Sequence, residues 1–489
     1  MSPLLCVVLK LRYIAPFILL ILFINLYRAL DHSSGHVLSD GRTLAVDFDD
    51  ITATVEQYRQ SAIQPPYKNQ FWEVGQRCRK LVEWLKYIDQ LPGRSKAKRK
   101  LVSAAESTAT SLFPFIKSSP RKPNSRTALS DLRSVYKKGS QGLVIPVGGG
   151  DHAVRFAGHL IVSLREVLGC SLPIQIVYAG DADLNKKQRD ALASFDSTKN
   201  MEFLDVFTMF DDSTLSLQQG HWAIKPFAAL ASPFEQVILV DADAVFLQRP
   251  EALLKHRAYY NTGAYLFHDR LLWRHEFRER HDWWKDQIKE PSPAMNKSRV
   301  WTEDYAEECD SGVVVLDKSR PQVFVGLLHT AWQNTLDVRE EVSYKITYGD
   351  KETWWLGLEL AGSSYEFEPH YGSILGWEKE KPGGGGTGSD RVCSFVIAHP
   401  DDRERLIWFN GGLVKNKLAD PESYEVQTAW MMDGTWVRGA MKQNMSCMVG
   451  AEVRKLSGEE QEILRRSIEA ARKVDSTLKE RGLNIFGHV

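Results

Sequence analysis

Signatures of several common protein classes are absent from this sequence. Neither sign of charge is in excess, since 62 Lys and Arg residues balance 62 Asp and Glu residues, so the composition gives no indication of a nucleic-acid partner. The six Cys residues include no Cys-x-x-Cys and no Cys/His ligand spacing, which argues against a structural zinc site. The glycine loop Gly148–Gly150 has neither the Gly-x-Gly-x-x-Gly spacing nor a Gly-Lys-Ser/Thr ending. A Rossmann fingerprint and a Walker loop are therefore both excluded.

An apolar run lies near the N-terminus. Residues 13–27 are mostly apolar, somewhat fewer than the roughly 20 residues of a membrane span, so a cleaved signal peptide is an alternative. No small-x-small cleavage pattern follows the run, and Lys10 and Arg12 precede it. The positive-inside rule then predicts a cytoplasmic tail at 1–12, a signal anchor at 13–29 and a body in the lumen.

The sequence is compatible with a lumenal body. One Cys lies in or beside the apolar run and five follow it: Cys6, then Cys78, Cys170, Cys309, Cys393 and Cys447. Two disulfides and one free thiol would suit an oxidising lumen, although the spacing does not reveal the pairing. Two glycosylation sequons begin at Asn296 and Asn444, and they are usable if the body is lumenal.

Two segments are predicted to follow the anchor, a stem and a body. Residues 30–140 form a largely helical stem, because apolar residues recur at helical spacing between Phe71 and Leu91. From residue 141 to 455, short apolar strands alternate with helical patterns, which predicts an α/β fold with a largely parallel, doubly wound sheet. Residues 456–489 form a closing helix that begins with a capping box of Ser457 and Glu460.

Two carboxylates follow one of the predicted strands. The run Val237–Val240 is too short for a helix and rich in β-branched residues, as expected of a buried parallel strand. Asp241 and Asp243 come next, and on an extended backbone their side chains would leave the same face. They would offer oxygen ligands to a divalent cation at the carboxyl end of a strand, where open α/β sheets bind ligands. An ordinary acidic turn is the alternative.

Four further residues are candidates for ligand binding. Gly148 and Gly149 would let the backbone approach a nucleotide closely, and a plain turn is the alternative. Lys225 leads into a short helix before the Asp-x-Asp strand, where Pro226 suits the first turn. His399 follows a short apolar strand, as the two aspartates do, and is either a third metal ligand or a structural histidine.

Three acids are candidates for catalysis. Asp310 stands at the start of the predicted strand Cys309–Leu316, where it either reaches the site or caps a turn. Asp350 and Glu352 precede a helix-like run. One of them could face a substrate hydroxyl, while ordinary acidity at a helix N-terminus is the alternative.

Five blocks of the sequence, in this order, together resemble the fungal α-1,3-mannosyltransferase family of the Golgi. They cover most of residues 142 to 413 and lie at Gly142–Leu184, His221–Glu251, Asp310–Ser319, Thr347–Trp355 and Ala398–Leu413. Five ordered blocks are far more specific than any single one. The stem and the closing helix lie outside the resemblance.

The resemblance implies a type II Golgi membrane protein with a GT-A fold, a mixed and mainly parallel sheet with flanking helices. It also implies transfer of mannose from GDP-mannose to a mannose hydroxyl of a glycan, with Mn²⁺ as the usual metal. Carried over by block, Asp241 and Asp243 hold metal and donor diphosphate, His399 is the third metal ligand, and Lys225 touches the donor. The partners implied are a nucleotide sugar, a mannosylated acceptor and a membrane; the oligomeric state stays open.

The resemblance also implies retention of anomeric configuration. No pair of carboxylates about 5 Å apart can be identified from the sequence, so we expect a same-face attack in which the departing phosphate takes the acceptor proton. Two alternatives remain open: a GT-A enzyme that uses a UDP-sugar, and a non-catalytic, membrane-tethered glycan-binding protein. The Trp-rich stretch 271–300, with Trp273, Trp283 and Trp284, would either stack on acceptor sugars or be buried in the core.

Overall fold

The computed structural model describes most of the chain. The described residues are 36–37, 43–44, 48–93, 95–117, 119, 121–122, 125–380, 390–441 and 443–486. The predicted cytoplasmic tail (1–12) and signal anchor (13–29) lie outside them. Among the helices of the described part, none combines the length and the apolar character that a bilayer span needs.

The chain divides into two compact units. Of the described residues, those up to Ser61 together with 83–107 form the smaller unit, and 62–82 together with those from 108 onward form the larger one. The predicted stem is helical over much of its described length, with α1 at Phe48–Gln60, α2 at Phe71–Gln90 and α3 at Lys96–Leu112. Residues 62–82 and 108–140 nevertheless cluster with the larger unit, so the change of sequence pattern near residue 140 does not mark the boundary between the units.

The larger unit contains the remaining α-helices of the described residues. They are α4 at Ala128–Arg133, α5 at Asp151–Val162, α6 at Lys186–Ala193, α7 at Ile224–Ala231, α8 at Arg257–Thr262, α9 at Arg278–Gln287, α10 at Arg299–Glu303, α11 at Pro321–Gln333, α12 at Leu336–Val338, α13 at Tyr344–Ile346, α14 at Lys351–Leu360 and α15 at Gly458–Glu480.

The strands of the described residues fall into several sheets. In chain order they are β1 at His36–Val37, β2 at Thr43–Leu44, β3 at Lys137–Pro146, β4 at Ile174–Tyr178, β5 at Met201–Asp205, β6 at Phe234–Val240, β7 at Ala244–Phe246, β8 at Ala264–His268, β9 at Cys309–Asp317, β10 at Glu366–Phe367, β11 at Ile374–Lys379, β12 at Arg391–Ser394, β13 at Ile397–Pro400, β14 at Leu406–Asn410, β15 at Val414–Asn416, β16 at Asp420–Tyr424, β17 at Ala429–Met431, β18 at Thr435–Val437, β19 at Ser446–Val449 and β20 at Arg454–Lys455.

A seven-stranded sheet forms the centre of the larger unit. Its strand order is β10-β8-β9-β6-β3-β4-β5. Strands β3 to β6 run parallel to one another, while β9 is antiparallel to both β6 and β8. The apolar runs of β3, β4 and β6 are buried, because helices cover both faces of such a sheet. The predicted α/β fold with a mixed, mainly parallel sheet is confirmed.

The sheet topology brings polar residues that are distant in the sequence to one end of the sheet, the carboxyl end of its parallel strands. Strands β3, β4 and β6 all end there. Because β9 runs antiparallel to β6, with Val240 opposite Val313, the first residues of β9 lie beside the last residues of β6. A smaller sheet of order β13-β14-β7 meets the same place, since β7 follows β6 directly and Asn410 pairs with Ala244.

The closing helix α15 packs on α5. Its predicted capping box is present, since Ser457 Oγ accepts from Glu460 N and the Glu460 side chain accepts from Ser457 N. The apolar side of α15 is buried at Leu464, Ile468, Ala471, Val474 and Leu478. Gly158 of α5 makes the close approach possible, because a Cβ there would lie 2.7 Å from Val474 Cγ1.

A disulfide joins β12 to β19 in the six-stranded sheet β18-β19-β12-β11-β17-β20. It links Cys393 to Cys447, whereas Cys78, Cys170 and Cys309 are free and buried.

We expect Cys447→Ser to lower the free energy of unfolding by about 2–4 kcal/mol, because the bridge restricts the unfolded chain across a separation of 54 residues. Urea unfolding checks this. Wild-type protein in reductant is the matched control, and unchanged stability in both would contradict the expectation.

Candidate active site

Asp241 and Asp243 lie on a tight turn and not on an extended strand. Strand β6 ends at Val240 and β7 begins at Ala244, whose N–H donates to Asp241 O at 3.0 Å. The pair therefore sits where the chain passes from the seven-stranded sheet to the three-stranded one. Each carboxylate side chain keeps 22% of its surface exposed, so a ligand can reach both from solvent.

Lys225 is the cation at the centre of the site. Its Nζ lies 2.8 Å from Asp241 Oδ1 and 3.4 Å from Asp350 Oδ2, and it donates to Ser311 O at 3.2 Å. The side chain is buried because it enters from the first turn of α7, beneath the Asp-x-Asp turn. Burial alone would lower the pKa of Lys225, but Asp241 and Asp350 more than offset that effect and raise it.

Lys417 pairs with the second aspartate. Its Nζ donates to Asp243 Oδ2 from the tip of the hairpin that β15 and β16 form. Asn416 shapes this tip, since its Oδ1 accepts from the N–H groups of Leu418 and Ala419 at 2.9 and 3.1 Å. Sequence reasoning missed Lys417, because one lysine in a polar hairpin has no pattern that distinguishes it from a solvated surface residue.

The two aspartates titrate in opposite directions. Burial raises the pKa of Asp241 to about 7 against the opposing effect of the Lys225 ammonium. Burial would also raise the pKa of Asp243, but the Lys417 ammonium more than offsets it, and that pKa is lowered. The lysines thus compensate much of the electrostatic cost of holding two carboxylates close together.

Asp310 joins three strand ends. Its Oδ1 accepts from Gly312 N at 2.9 Å and from Asn410 Nδ2 at 3.0 Å, and its Oδ2 lies 3.1 Å from His399 Nε2. Both residues of the Asp310–His399 pair are buried. The acid predicted to reach the site and the histidine predicted to bind metal therefore bind each other.

Asp350 and Glu352 have different surroundings. Asp350 faces the site, since its Oδ2 lies near Lys225 Nζ and accepts from Trp354 Nε1 at 2.7 Å. Glu352 Oε1 accepts from the N–H groups of Glu308 and Cys309, at 3.0 and 3.3 Å. Burial raises the pKa of Glu352 to about 8. Glu352 holds the start of β9 and thereby positions Asp310, whereas Asp350 is buried beside the Lys225 ammonium.

The glycine loop follows β3 at the same end of the sheet. Gly149 adopts φ 81°, and its N–H donates to Asp183 Oδ1 at 2.9 Å. A Cβ on Gly148 would lie 2.1 Å from that Asp183 atom, so glycine is required there. Burial lowers the pKa of His152 at the start of α5, and the nearby Lys417 contributes to the same shift. The loop therefore leads toward the lysine-aspartate cluster, and nucleotide contact at Gly148 and Gly149 stays a prediction.

A buried ionic network holds the Lys417 hairpin. Arg155 of α5 contacts both oxygens of Asp475 on α15, at 2.8 Å from Nε and 2.6 Å from Nη2. Asp475 Oδ2 also accepts from Tyr424 Oη at 2.6 Å, and Arg155 Nη1 donates to Pro421 O at 2.8 Å. Tyr424 and Pro421 belong to β16, so the closing helix fixes the strand that leads back from Lys417.

Comparison with known proteins decides the family of this chain. The family model described as "Mannosyltransferase putative" matches residues 140–401, more than half of the sequence. The chain belongs to this mannosyltransferase family. The family resemblance seen in the five sequence blocks is confirmed.

Two curated relatives point the same way. The α-1,3-mannosyltransferase MNT3 of Saccharomyces cerevisiae is 28% identical over 284 residues, which are 51% of this chain and 43% of that protein. MNN1 of the same yeast, also an α-1,3-mannosyltransferase, is 26% identical over 59% of this chain and 43% of its own length. The chain thus spans less than half of these two relatives. The mannosyltransferase Ktr4p of S. cerevisiae, a solved structure, is 11% identical over 65% of this chain and 83% of its own, with a TM-score of 0.33.

The described residues of this family member do not assemble the predicted three-ligand metal site. No three His, Cys, Asp or Glu side chains among them are arranged to hold one ion, and His399 binds Asp310. Asp241 and Asp243 do fit a cation that takes its remaining ligands from phosphate and water. Both are partly exposed, and a carboxylate has about four lone-pair positions, so pairing with a lysine does not exhaust it.

The tryptophans predicted as candidates for sugar stacking are poorly placed for it. Trp283 and Trp284 are 8% and 1% exposed, and Trp283 Nε1 donates to Lys68 O at 2.7 Å. Trp273 lies under the Arg438 guanidinium, whose Cζ is 4.7 Å from the ring centroid. For Trp283 and Trp284 the structure therefore confirms the alternative to sugar stacking, which is burial in the core.

Proposed function

We propose that this protein transfers mannose from GDP-mannose to a mannose hydroxyl of a glycan and forms an α-1,3 linkage. One observation carries the proposal: in a chain of the mannosyltransferase family, Asp241 and Asp243 are solvent-accessible, and each has a lysine beside it. A site that combines fixed cations with carboxylates able to bind a divalent cation suits a diphosphate. The relatives MNT3 and MNN1 bear the name α-1,3-mannosyltransferase, which supports the sugar and the linkage.

The residues of the cluster have distinct tasks in the proposed reaction. A nucleoside diphosphate gains negative charge as its bond to mannose breaks, and Lys417 and Lys225 lie where fixed positive charge would stabilise it. Asp350 is buried beside the Lys225 ammonium and would hold it in place; contact of Asp350 with the acceptor hydroxyl stays a prediction. Asp310 has three hydrogen-bonding partners, which leaves it poorly placed as a nucleophile. This supports same-face attack, with the departing phosphate taking the acceptor proton.

We further propose that Asp241 and Asp243 hold a divalent cation, Mn²⁺ by the family resemblance. When bound, it would act as a Lewis acid toward the diphosphate. Treatment with EDTA is expected to abolish transfer, and added Mn²⁺ is expected to restore it. Full activity in EDTA would contradict the metal and would leave Lys225 and Lys417 as the charges that stabilise the leaving group.

The location of the protein is also a proposal. The predicted signal anchor at 13–29 and the sequons at Asn296 and Asn444 suit a type II protein of the Golgi membrane with its body in the lumen, acting in protein glycosylation. A reporter fused to either end, tested for protease protection in intact Golgi vesicles, checks this orientation. Protection of the C-terminal reporter alone is the expected result.

The reaction itself is tested with the full-length protein in detergent. It is incubated with Mn²⁺, a panel of α-mannosides and either labelled GDP-mannose or labelled UDP-sugars, and the products are analysed for linkage. Incorporation of α-1,3-linked mannose from GDP-mannose is the expected result. Incorporation from a UDP-sugar alone would contradict the donor. Glycan binding without transfer from any donor would indicate a non-catalytic protein.

A further inference from the structure

Two large exposed aromatic side chains lie on segments of the chain that also carry residues of the active-site cluster. Trp222 is 43% exposed and Tyr348 is 62% exposed. Their ring centroids are 5.3 Å apart with an angle of 48° between the ring planes. Exposed aromatic residues that contact each other in this way often mark a binding surface. We call these two rings the aromatic corner.

The aromatic corner is built by a constrained backbone. The residue before Trp222, His221, adopts φ 47°, and the residue after Tyr348, Gly349, adopts φ 65°. The Trp222 ring lies against the backbone of Gly349, since a Cβ on that glycine would be 2.8 Å from Trp222 Cε3. Left-handed backbone at a non-glycine residue costs energy and is concentrated at functional sites. The rings are therefore held in place before any ligand arrives.

The corner is continuous with the proposed donor site. Trp222 lies in a 3₁₀ turn, His221–Ala223, that runs directly into α7, where Lys225 begins the contacts to Asp241. Tyr348 lies two residues before Asp350, whose carboxylate is 3.4 Å from the same Lys225 ammonium. Both aromatic residues thus belong to segments that meet at the contact between Lys225 and Asp350.

We infer that the aromatic corner binds the acceptor, by stacking on a pyranose ring of an α-mannoside. This inference rests on the proposed function and adds a subsite to it. The faces of aromatic rings carry partial negative charge, and the axial C–H groups of a sugar chair carry partial positive charge. Stacking also removes apolar surface of both partners from water.

The shape of the corner favours a sugar over the guanine of the donor. A flat purine is held best between parallel faces or on one face, whereas two rings at 48° form a wedge that fits a puckered chair. Small-molecule sites usually bury most of their ligand. An acceptor glycan extends into solvent, and the open position of Tyr348 suits such a chain.

The test measures steady-state kinetics of the full-length protein with α-mannobiose as acceptor and GDP-mannose as donor. We expect Trp222→Ala and Tyr348→Ala each to raise the acceptor KM about tenfold, the effect of losing one aromatic stacking contact. The KM for GDP-mannose should stay as in wild type. Trp222→Phe and Tyr348→Phe keep an aromatic ring, so they should recover much of the acceptor affinity that the alanine variants lose. A purely structural role of the two residues would not require this recovery.

Tyr260→Ala is the matched control, because Tyr260 is 76% exposed and lies on α8, outside the cluster. An unchanged acceptor KM in both alanine variants, or a raised KM for GDP-mannose instead, would overturn the inference. Calorimetric titration of α-mannobiose into each variant measures binding without transfer. If the wild-type protein transfers no mannose, the proposed reaction fails, but the titration still tests the aromatic corner. Weaker binding of α-mannobiose by Trp222→Ala than by wild type would then support the corner. Equal binding by the two proteins would overturn it.

Discussion

Replacing Asp243 by Asn should lower kcat/KM for mannosyl transfer by at least about 10²-fold, the usual cost of removing one fixed charge or dipole that stabilises a transition state. The carboxylate is one of two that we assign to the donor diphosphate and its cation. Its charge also holds Lys417 in place from the hairpin tip. Asn keeps the shape of the side chain but neither binds a cation strongly nor attracts the ammonium.

The fold should tolerate this change, which makes loss of activity informative. Lys417 is 39% exposed, so water can solvate its ammonium once the partner is neutral. The midpoint of thermal unfolding of Asp243→Asn should therefore stay close to that of wild type. Asp190→Asn is a matched control, because it breaks a surface pair with Lys186 on α6 and should leave both activity and stability unchanged. Wild-type kinetics in Asp243→Asn would contradict the site.

Replacing Asp475 by Leu should have the largest effect on stability, a loss of about 3–5 kcal/mol, as for other buried ion pairs that lose one partner. Arg155 is fully buried, and Asp475 is the carboxylate that its Nε and Nη2 contact. Without that charge the guanidinium would remain uncompensated inside the protein. Urea unfolding measures the loss. The exposed pair Lys473–Glu469 on the same helix offers a control, since Glu469→Gln should cost at most about 0.5 kcal/mol.

A double variant and hydrogen exchange separate loss of charge compensation from general damage. Arg155→Met together with Asp475→Leu removes both charges, so it should be less destabilised than Asp475→Leu alone. Amide exchange in the hairpin 414–424 should rise in Asp475→Leu, because Tyr424 loses its hydrogen bond to that carboxylate. If the hairpin stays as protected as in wild type, the closing helix does not position Lys417.

The effect of Asp475 should depend on pH in a defined direction. Burial would raise the pKa of Asp475, but hydrogen bonds from His159 and Arg155 more than offset it and hold the pKa well below its usual range. A lowered folded-state pKa means that the stabilisation is complete above the unfolded value of about 3.9 and declines as the pH falls below it. The gap in unfolding free energy between wild type and Asp475→Leu should therefore narrow below about pH 4. A gap that stays constant down to pH 2.5 would argue against this assignment.

The sequence predicted those parts of the fold that depend on local patterns. Apolar, β-branched runs identify β3, β4, β6 and β9, because a strand buried on both faces needs such residues along its whole length. The capping box at Ser457 marks the start of α15 for a similarly local reason. Asp241, Asp243 and Lys225 could be proposed because they stand beside such elements and inside blocks that resemble a known family.

Other features depend on contacts between residues far apart in the chain. The sequence suggests that His399 follows a strand as Asp241 does, but His399 lies within β13, which pairs with β14, and its ring contacts Asp310. Trp222 and Tyr348 are exposed, while the conspicuous pair Trp283 and Trp284 is buried. Periodicity shows that a residue is apolar or polar, but exposure depends on what the rest of the chain packs against it.

By itself, then, the sequence determined the α/β class, the family, and the end of a buried strand as the place of Asp241 and Asp243, which the structure puts on a tight turn. Only the tertiary structure decided that Lys417 completes this turn, 174 residues along the chain from Asp243, and that α15 holds the hairpin that carries it. The physical reason is that a charged side chain gains its partner from the register of strands and the packing of helices. These are set by the whole core and leave no mark on the residues next to that lysine.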